Sequence, residues 1–101
     1  MAQVVYNLAA NARDAMPRGG TFTVTTRQSG EQIELRFSDT GPGVPEEARA
    51  RIFEPLFTYG KREGAGLGLS IARRIVEEHG GKLWLESSAE GGATFVLSLP
   101  L

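Results

Sequence analysis

Two pairs of alternating segments limit most strongly how this chain can fold. Apolar and polar residues alternate in TFTVTTR (21–27) and QIELRFSD (32–39), and again in KLWLESS (82–88) and ATFVLSLP (93–100). Alternation with a period of two is typical of strands that bury one face. Residues 28–31 join the first pair, and a glycine-containing stretch of similar length joins the second. The pattern therefore predicts two β-hairpins.

The remaining periodic segments are helical. Apolar residues at helical spacing predict helices over residues 3–16 and 67–79, and a shorter one over 46–51. Gly80-Gly81 suits the C-terminal cap of the second helix. The apolar positions expected to face the core are Val5, Leu8, Ala12 and Ala15 in the first helix, and Leu69, Ala72, Ile75 and Val76 in the second. This order predicts an α+β two-layer sandwich, with a mixed, mostly antiparallel sheet of about four to five strands and helices on one face.

Composition excludes several classes of protein. The chain has 101 residues, of which 41% are hydrophobic and 23% charged, with a formal net charge of −1. A chain this close to neutral gives no reason to expect nucleic acid or an anionic membrane as a partner. The absence of cysteine excludes disulfides and thiolate metal sites, and no apolar run approaches the roughly 20 residues of a membrane span. We expect one cytoplasmic, monomeric domain over residues 1–101.

The first helix carries a polar seam. Asn7, Asn11 and Asp14 are spaced so that they project from one side of the helix. Asparagine is a poor residue inside a helix because its amide competes with the backbone for hydrogen bonds. Amide and carboxylate oxygens are suitable ligands for Mg²⁺. A solvated helix face explains the same residues equally well, so the seam alone leaves both interpretations open.

Two glycine-rich stretches are the other candidates. DTGPGVP (39–45) follows a strand, so that Asp39 could accept a hydrogen bond from the exocyclic amine of a base lying against Gly41 and Gly43, although a surface turn is the simpler explanation. GAGLGLS (64–70) precedes a helix, where bare amides and the helix dipole attract oxyanions. Taken alone, it also fits a flexible loop that ends in a helix start.

The order of these features resembles the ATP-binding catalytic domain of two-component sensor histidine kinases. That family belongs to the GHKL superfamily, with DNA gyrase and the MutL repair proteins, and NARDAMPRGG (11–20) is similar to its nitrogen-regulatory subgroup. The resemblance runs from Gln3 to the C-terminus. The matching stretches are NLAANA (7–12) for the N box, DTGPG (39–43) for the G1 box, IFEPLFT (52–58) for the F box, GAGLGL (64–69) for the G2 box, and GATF (92–95) near the end.

The resemblance implies ATP or ADP as ligand, with Mg²⁺, and a role for each matching residue. Asn11, with Asn7 close by, would coordinate the metal, and Asp39 would accept the adenine amino group with support from Thr94 through a water. Residues 53–65 would form the ATP lid, whose cation is Lys61 or Arg62. The full nucleotide-binding set that it implies is Asn11, Asp14, Asp39, Gly41, Gly43, Val44, Phe53, Thr58, Arg62, Gly64, Gly66, Leu67, Gly68, Leu69 and Thr94, with Asn7, Asn11 and Lys61 as catalytic residues.

Asn7 distinguishes branches of the superfamily. The members that hydrolyse ATP carry glutamate at this position, and that carboxylate activates water. An amide cannot serve as that base, so the resemblance implies transfer of phosphate to a histidine and, through it, to a response regulator. A non-catalytic nucleotide-binding or scaffold fragment is the alternative, and an ATP-hydrolysing protein is a weaker one.

The sequence departs from the family pattern in two places. The phosphoacceptor helical hairpin and the usual first strand have no counterpart before the N box, so we expect an excised or minimised catalytic domain whose phosphoacceptor lies on a separate domain. In the lid, Thr58-Tyr59-Gly60-Lys61 replaces the subgroup's Thr-Thr-Lys, which displaces the lysine by one position.

Overall fold

A four-stranded sheet with helices on one face forms the framework of the protein. The computed structural model describes residues 2–44, 46–54, 68–87 and 92–101. In chain order the elements are α1 (Ala2–Ala15), β1 (Phe22–Ser29), β2 (Gln32–Asp39), α2 (Glu46–Arg49), α3 (Gly68–Glu78), β3 (Lys82–Ser87) and β4 (Thr94–Pro100). This architecture confirms the predicted α+β fold class.

The sheet has the strand order β1-β2-β4-β3, and each of these neighbouring pairs is antiparallel. The described strands therefore correct the expectation of a mixed sheet. Because β4 lies between β2 and β3, the second hairpin inserts its last strand beside the first hairpin. This topology places the end of β2, where Asp39 lies, next to the start of β4, where Thr94 lies opposite Ser38.

The core lies between one sheet face and the helices α1 and α3. Alternate strand residues point into it, including Phe37 from β2, Leu83 from β3, and Phe95 and Leu97 from β4, each no more than 3% exposed. Leu69, Ala72 and Val76 of α3 meet them, and the predicted fourth member, Ile75, packs against the same cluster while partly exposed. At an order of magnitude of 1.5–3 kcal/mol for each large buried side chain, this layer is the main source of stability.

The C-terminus of α3 has the predicted glycine cap. Gly80 has φ +80°, in the left-handed region that favours glycine. Its amide donates to the carbonyl of Glu77 at 3.0 Å, and the amide of Gly81 donates to the carbonyl of Val76 at 2.9 Å. This is the Schellman arrangement, which satisfies carbonyls that the helix itself leaves unpaired.

Two local predictions were wrong. Val4 of α1 is fully buried, whereas Val5 is 42% exposed. The buried stripe consists of Val4, Leu8, Asn11 and Ala12, so it passes through a polar residue that an apolar pattern leaves out. The predicted turn over 28–31 is also shorter, because Gln28 and Ser29 extend β1 and only Gly30 and Glu31 lie between paired residues.

No helix within the described ranges is long and apolar enough to cross a membrane. The longest of them, α1, has 14 residues.

Candidate functional site

The polar seam of α1 lies at the boundary between core and surface. Asn11 is buried, at 8% exposed, within the stripe that faces the core. Asn7 is half-buried, and Asp14 is exposed and lies 3.5 Å from the guanidinium Nε of Arg13. Burial of an amide requires hydrogen-bond partners. The burial of Asn11 therefore argues against a purely solvated helix face.

A side-chain hydrogen bond joins α1 to the start of α3. The amide Nδ2 of Asn7 donates to the carbonyl oxygen of Gly68 at 3.1 Å. Gly68 is the first residue of α3, where the helix dipole is positive and the first backbone amides lack partners within the helix. The contact places the Asn7 end of the seam beside an anion-attracting helix terminus.

The turn after β2 holds the Asp39 carboxylate in a fixed position. Asp39 is 8% exposed, and its Oδ1 accepts a hydrogen bond from the amide of Gly41 at 2.9 Å. Gly41 is buried against the end of α1, since a Cβ on it would lie 2.9 Å from the carbonyl oxygen of Ala15. The glycine therefore allows the turn to approach the helix closely, in addition to any room it leaves for a ligand.

Thr40 ties the same turn to the segment that follows α1. Its Oγ1 accepts a hydrogen bond from the amide of Thr21 at 2.9 Å and lies 3.5 Å from the Sδ of Met16. Gly20, with φ +154°, packs against both side chains. Sequence reasoning missed Thr40 and Met16 because these contacts join residues that no local pattern relates.

The helix α1 thus connects two places where a ligand could be held. One is the start of α3 at Asn7, and the other is the Asp39–Gly41 turn at Ala15. The two helix positions are eight residues apart, or about 12 Å along the axis. Asn11 lies between them. The helix terminus at one end can bind an anion, and the buried carboxylate at the other can accept a hydrogen bond from a donor. This pair suits an elongated ligand with a phosphate chain and a base.

The remaining predicted site residues fall into three groups. Gly43 has φ +83°, so its glycine is required by the backbone, and Val44 and Leu69 are buried in the core. The hydroxyl of Thr94 lies 3.0 Å from that of Ser38. Both side chains are on the sheet face opposite the side chain of Asp39. The predicted support of Asp39 by Thr94 through a water stays a prediction. Outside the described residues lie Thr58, Lys61, Arg62, Gly64, Gly66 and Leu67, with most of the predicted lid.

Phe53, at the predicted start of the lid, packs on the core. Its ring meets Phe95 edge to face, with centroids 6.1 Å apart and planes at 88°. The guanidinium carbon of Arg73, from α3, lies 4.7 Å from the centroid of the Phe53 ring. These contacts hold the Phe53 side chain between Phe95 of the core and Arg73 of α3.

The donor set fits Mg²⁺ only as part of a nucleotide complex. In the parts of the chain that the structure describes, no group of three or more His, Cys, Asp or Glu is placed to hold a metal ion. The oxygen donors of the seam are the amides of Asn7 and Asn11 and the carboxylate of Asp14. Mg²⁺ keeps several waters and takes other ligands from phosphates, so one or two amide oxygens are enough for such an ion.

Replacing Gly41 with alanine is expected to destabilise the fold by about 1–3 kcal/mol, because the new Cβ would press on the carbonyl of Ala15. Gly68→Ala is the matched control, since no atom of the residues that the structure describes lies within 4 Å of its Cβ position and alanine favours a helix. Urea unfolding measures both changes. A Gly41→Ala protein as stable as Gly68→Ala would contradict the close approach of turn and helix.

Known proteins similar to this chain include sensor kinases. The family described as "Histidine kinase-, DNA gyrase B-, and HSP90-like ATPase" matches residues 1–101. The chain is 41% identical to the adaptive-response sensory kinase SasA of Synechococcus sp. (strain CC9311) over 106 residues, covering 100% of this chain and 28% of the relative. It is 44% identical to the sensor protein FixL of Bradyrhizobium diazoefficiens over 101 residues, covering 97% of this chain and 20% of the relative. The chain thus spans less than a third of these relatives.

Three solved structures share the fold, each over 97% of this chain. The catalytic domain of histidine kinase ThkA has a TM-score of 0.84 and 39% identity, with 64% of that chain covered. Full-length ShkA in complex with AMPPNP has a TM-score of 0.82 and 35% identity, with 20% covered. ThkA in complex with the response regulator TrrA has a TM-score of 0.78 and 37% identity, with 27% covered.

The motifs on α1 and at the end of β2 therefore lie on the expected fold, in a chain whose relatives are sensor kinases. The polar seam of α1 and the Asp39–Gly41 turn at its C-terminal end lie along one helix of this fold. The chain belongs to the histidine kinase-, DNA gyrase B- and HSP90-like ATPase family.

Proposed function

We propose that the chain binds ATP with Mg²⁺ and acts as the catalytic domain of a sensor histidine kinase. In this role it would transfer the γ-phosphoryl group to a histidine on a separate phosphoacceptor domain of the parent protein, and from there the phosphate would pass to a response regulator. The requirement for ATP implies a cytoplasmic location. The observation that carries the proposal is the arrangement along α1: Asn7, near the middle of the helix, contacts the start of α3, and Ala15, at its C-terminus, meets the Asp39–Gly41 turn.

At the end of the proposed site that would hold the base, Asp39 is the residue that would recognise the adenine. The residue is 8% exposed, and its Oδ1 accepts a hydrogen bond from the amide of Gly41. A buried carboxylate gains most from a donor that reaches it, because charged hydrogen bonds are stronger than neutral ones. The exocyclic amine of adenine is such a donor. The AMPPNP complex of ShkA, a relative of 35% identity, supports an adenine nucleotide as the ligand.

At the phosphate end, the chain supplies backbone amides and amide side chains. The first amides of α3 attract the phosphates through the helix terminus, and Asn7 holds the Gly68 carbonyl that starts this helix. Asn11 is the residue that would hold Mg²⁺, and the ion would supply positive charge to offset that of the phosphates. Lys61 or Arg62 is the proposed lid cation.

Asn7 favours transfer over hydrolysis. Its amide nitrogen donates to Gly68, and a carboxamide has no basic site with which to activate water. Transfer of the γ-phosphoryl group then requires a nucleophile positioned by another domain. Catalysis depends on the orientation of that nucleophile and on stabilisation of the charge of the transferring group. The complex of ThkA with TrrA supports a response regulator as the later partner.

Mixing the chain with a purified phosphoacceptor helical bundle and γ-labelled ATP tests the proposal. We expect label on the histidine of the bundle and little free phosphate. Nucleotide binding without labelled histidine would favour a non-catalytic nucleotide-binding module. Steady phosphate release by the chain alone would favour an ATP-hydrolysing protein. Either result would overturn the kinase assignment.

A further inference from the structure

Gly92 lies against the main chain of Asp39 so closely that no side chain fits. A Cβ built on Gly92 would overlap the carbonyl oxygen of Asp39. The next nearest atoms are the carbonyl carbon of Asp39, at 3.4 Å, and the Cα of Thr40, at 3.7 Å. All three are backbone atoms of the residue proposed to read the base or of its neighbour. A methyl group at position 92 would therefore have to move that backbone.

The main chain of Asp39 has little freedom to adjust elsewhere. Its amide donates to the carbonyl of Ala93 at 3.0 Å, which ties it to the start of β4 beside Gly92. Its side chain is held by the amide of Gly41 at 2.9 Å. A displacement of the Asp39 backbone would therefore also move its carboxylate, because the carboxylate is hydrogen-bonded to Gly41 in the same turn.

The glycine is not required by its own backbone conformation. The φ of Gly92 does not lie in the left-handed region, unlike that of Gly43 or Gly80. Alanine could therefore adopt the φ of Gly92 without strain. Among the described residues, the close approach that calls for glycine at this position is to the main chain of Asp39 and Thr40, and a substitution at position 92 tests it.

We propose that Gly92 is a positioning residue that sets the base specificity of the site, by allowing the Asp39 carboxylate to lie where it accepts a hydrogen bond from a 6-aminopurine. The proposal rests on the proposed function and deepens it. Gly92 acts through Asp39 and has no contact of its own with the ligand. Its substitution should therefore lower affinity for ligands that carry the amine and spare ligands that lack it.

The test compares ATP with inosine triphosphate, each with Mg²⁺, by equilibrium titration of the 101-residue chain. Inosine carries a carbonyl oxygen where adenosine carries the amine, so the exocyclic donor proposed to bind Asp39 is replaced by an acceptor. For the wild type we expect ATP to bind roughly ten- to a hundredfold more tightly, the effect of one charged hydrogen bond. In Gly92→Ala we expect the preference to fall by roughly tenfold, through weaker ATP binding and little change for inosine triphosphate.

Gly81→Ala is the matched control for loss of stability. A Cβ on Gly81 would overlap the carbonyl oxygen of Ser98 and lie 2.8 Å from the Cδ2 of Leu99, at the end of β4 away from Asp39. Gly81 also lacks a positive φ. Both variants should melt at a lower temperature, but Gly81→Ala should keep the wild-type base preference. Titrations at 10 °C in sucrose, which favours the folded state, keep both variants folded.

Three outcomes are separable. A preference lost in Gly92→Ala and kept in Gly81→Ala supports the inference. A wild-type preference in Gly92→Ala overturns it and leaves the proposed function intact. A wild-type chain that binds neither nucleotide overturns the proposed function, and this inference with it.

Discussion

Replacing Asp39 with asparagine is expected to weaken ATP binding by about 1.5–3 kcal/mol, which is roughly a ten- to hundredfold rise in Kd. Asparagine keeps an oxygen that can accept from the amide of Gly41, so the turn should survive. It loses the negative charge and places an amide group where the adenine amine needs an acceptor. Isothermal titration with a non-hydrolysable ATP analogue and Mg²⁺ measures the change.

Glu34→Gln is the control for the loss of one negative charge. Glu34 lies on the same strand as Asp39, is half-buried, and its Oε1 lies 3.3 Å from the Nη2 of Arg27 in β1. This substitution also removes one carboxylate, but it should leave nucleotide affinity within about 0.5 kcal/mol of the wild type, as surface substitutions usually do. Equal losses in the two variants would mean that charge in general, and not the position of Asp39, determines binding.

Replacing Phe95 with alanine is expected to lower the free energy of unfolding by about 3–5 kcal/mol. Phe95 is 3% exposed, is paired with Phe37 in β2 and Leu85 in β3, and meets the ring of Phe53 edge to face. A domain of this size has about 5–15 kcal/mol of stability in total, so the variant should be close to unfolding. Urea denaturation followed by circular dichroism gives the value.

Val24→Ala supplies the comparison for Phe95→Ala. Val24 is 46% exposed on the edge strand β1, and its truncation should cost less than about 1 kcal/mol. A double-mutant cycle on Phe53 and Phe95 should also give a coupling of about 0.5–1.5 kcal/mol for the edge-to-face pair. A similar small loss for Phe95→Ala and Val24→Ala would contradict the position of Phe95 at the centre of the core.

The fold could be predicted because its signals are local. Alternation along the four strands and the helical period of α3 each follow from which face a segment buries, and Leu69, Ala72 and Val76 lie where that period places them. On α1 the pattern named Val5, where Val4 is buried, and left out Asn11, for a physical reason. Asn11 is buried with Val4 and Leu8, and a pattern built from apolar residues alone does not include it.

The site was only partly predictable, because its geometry depends on long-range contacts. From the sequence alone, the residue types at positions 11, 39 and 41 indicate a metal ligand, a hydrogen-bond acceptor and a close backbone approach. The bond from Asn7 to Gly68 joins residues 61 positions apart, and the overlap between Gly92 and Asp39 arises only once β4 lies beside β2. The pairing of Thr94 with Ser38 likewise follows from strand register, which no motif specifies.

The most direct test of the account is a titration of the isotopically labelled chain with ATP and Mg²⁺, followed by the backbone amide signals in NMR. The account predicts saturable shifts in the Asp39–Gly43 turn, at Asn7 and Asn11 of α1, and at the start of α3. The signals of the turn at Gly30, at the far end of the first hairpin, should not move. Shifts confined to other surfaces, or no saturable shift at millimolar ATP, would contradict the claim that α1 joins the two ends of a nucleotide site.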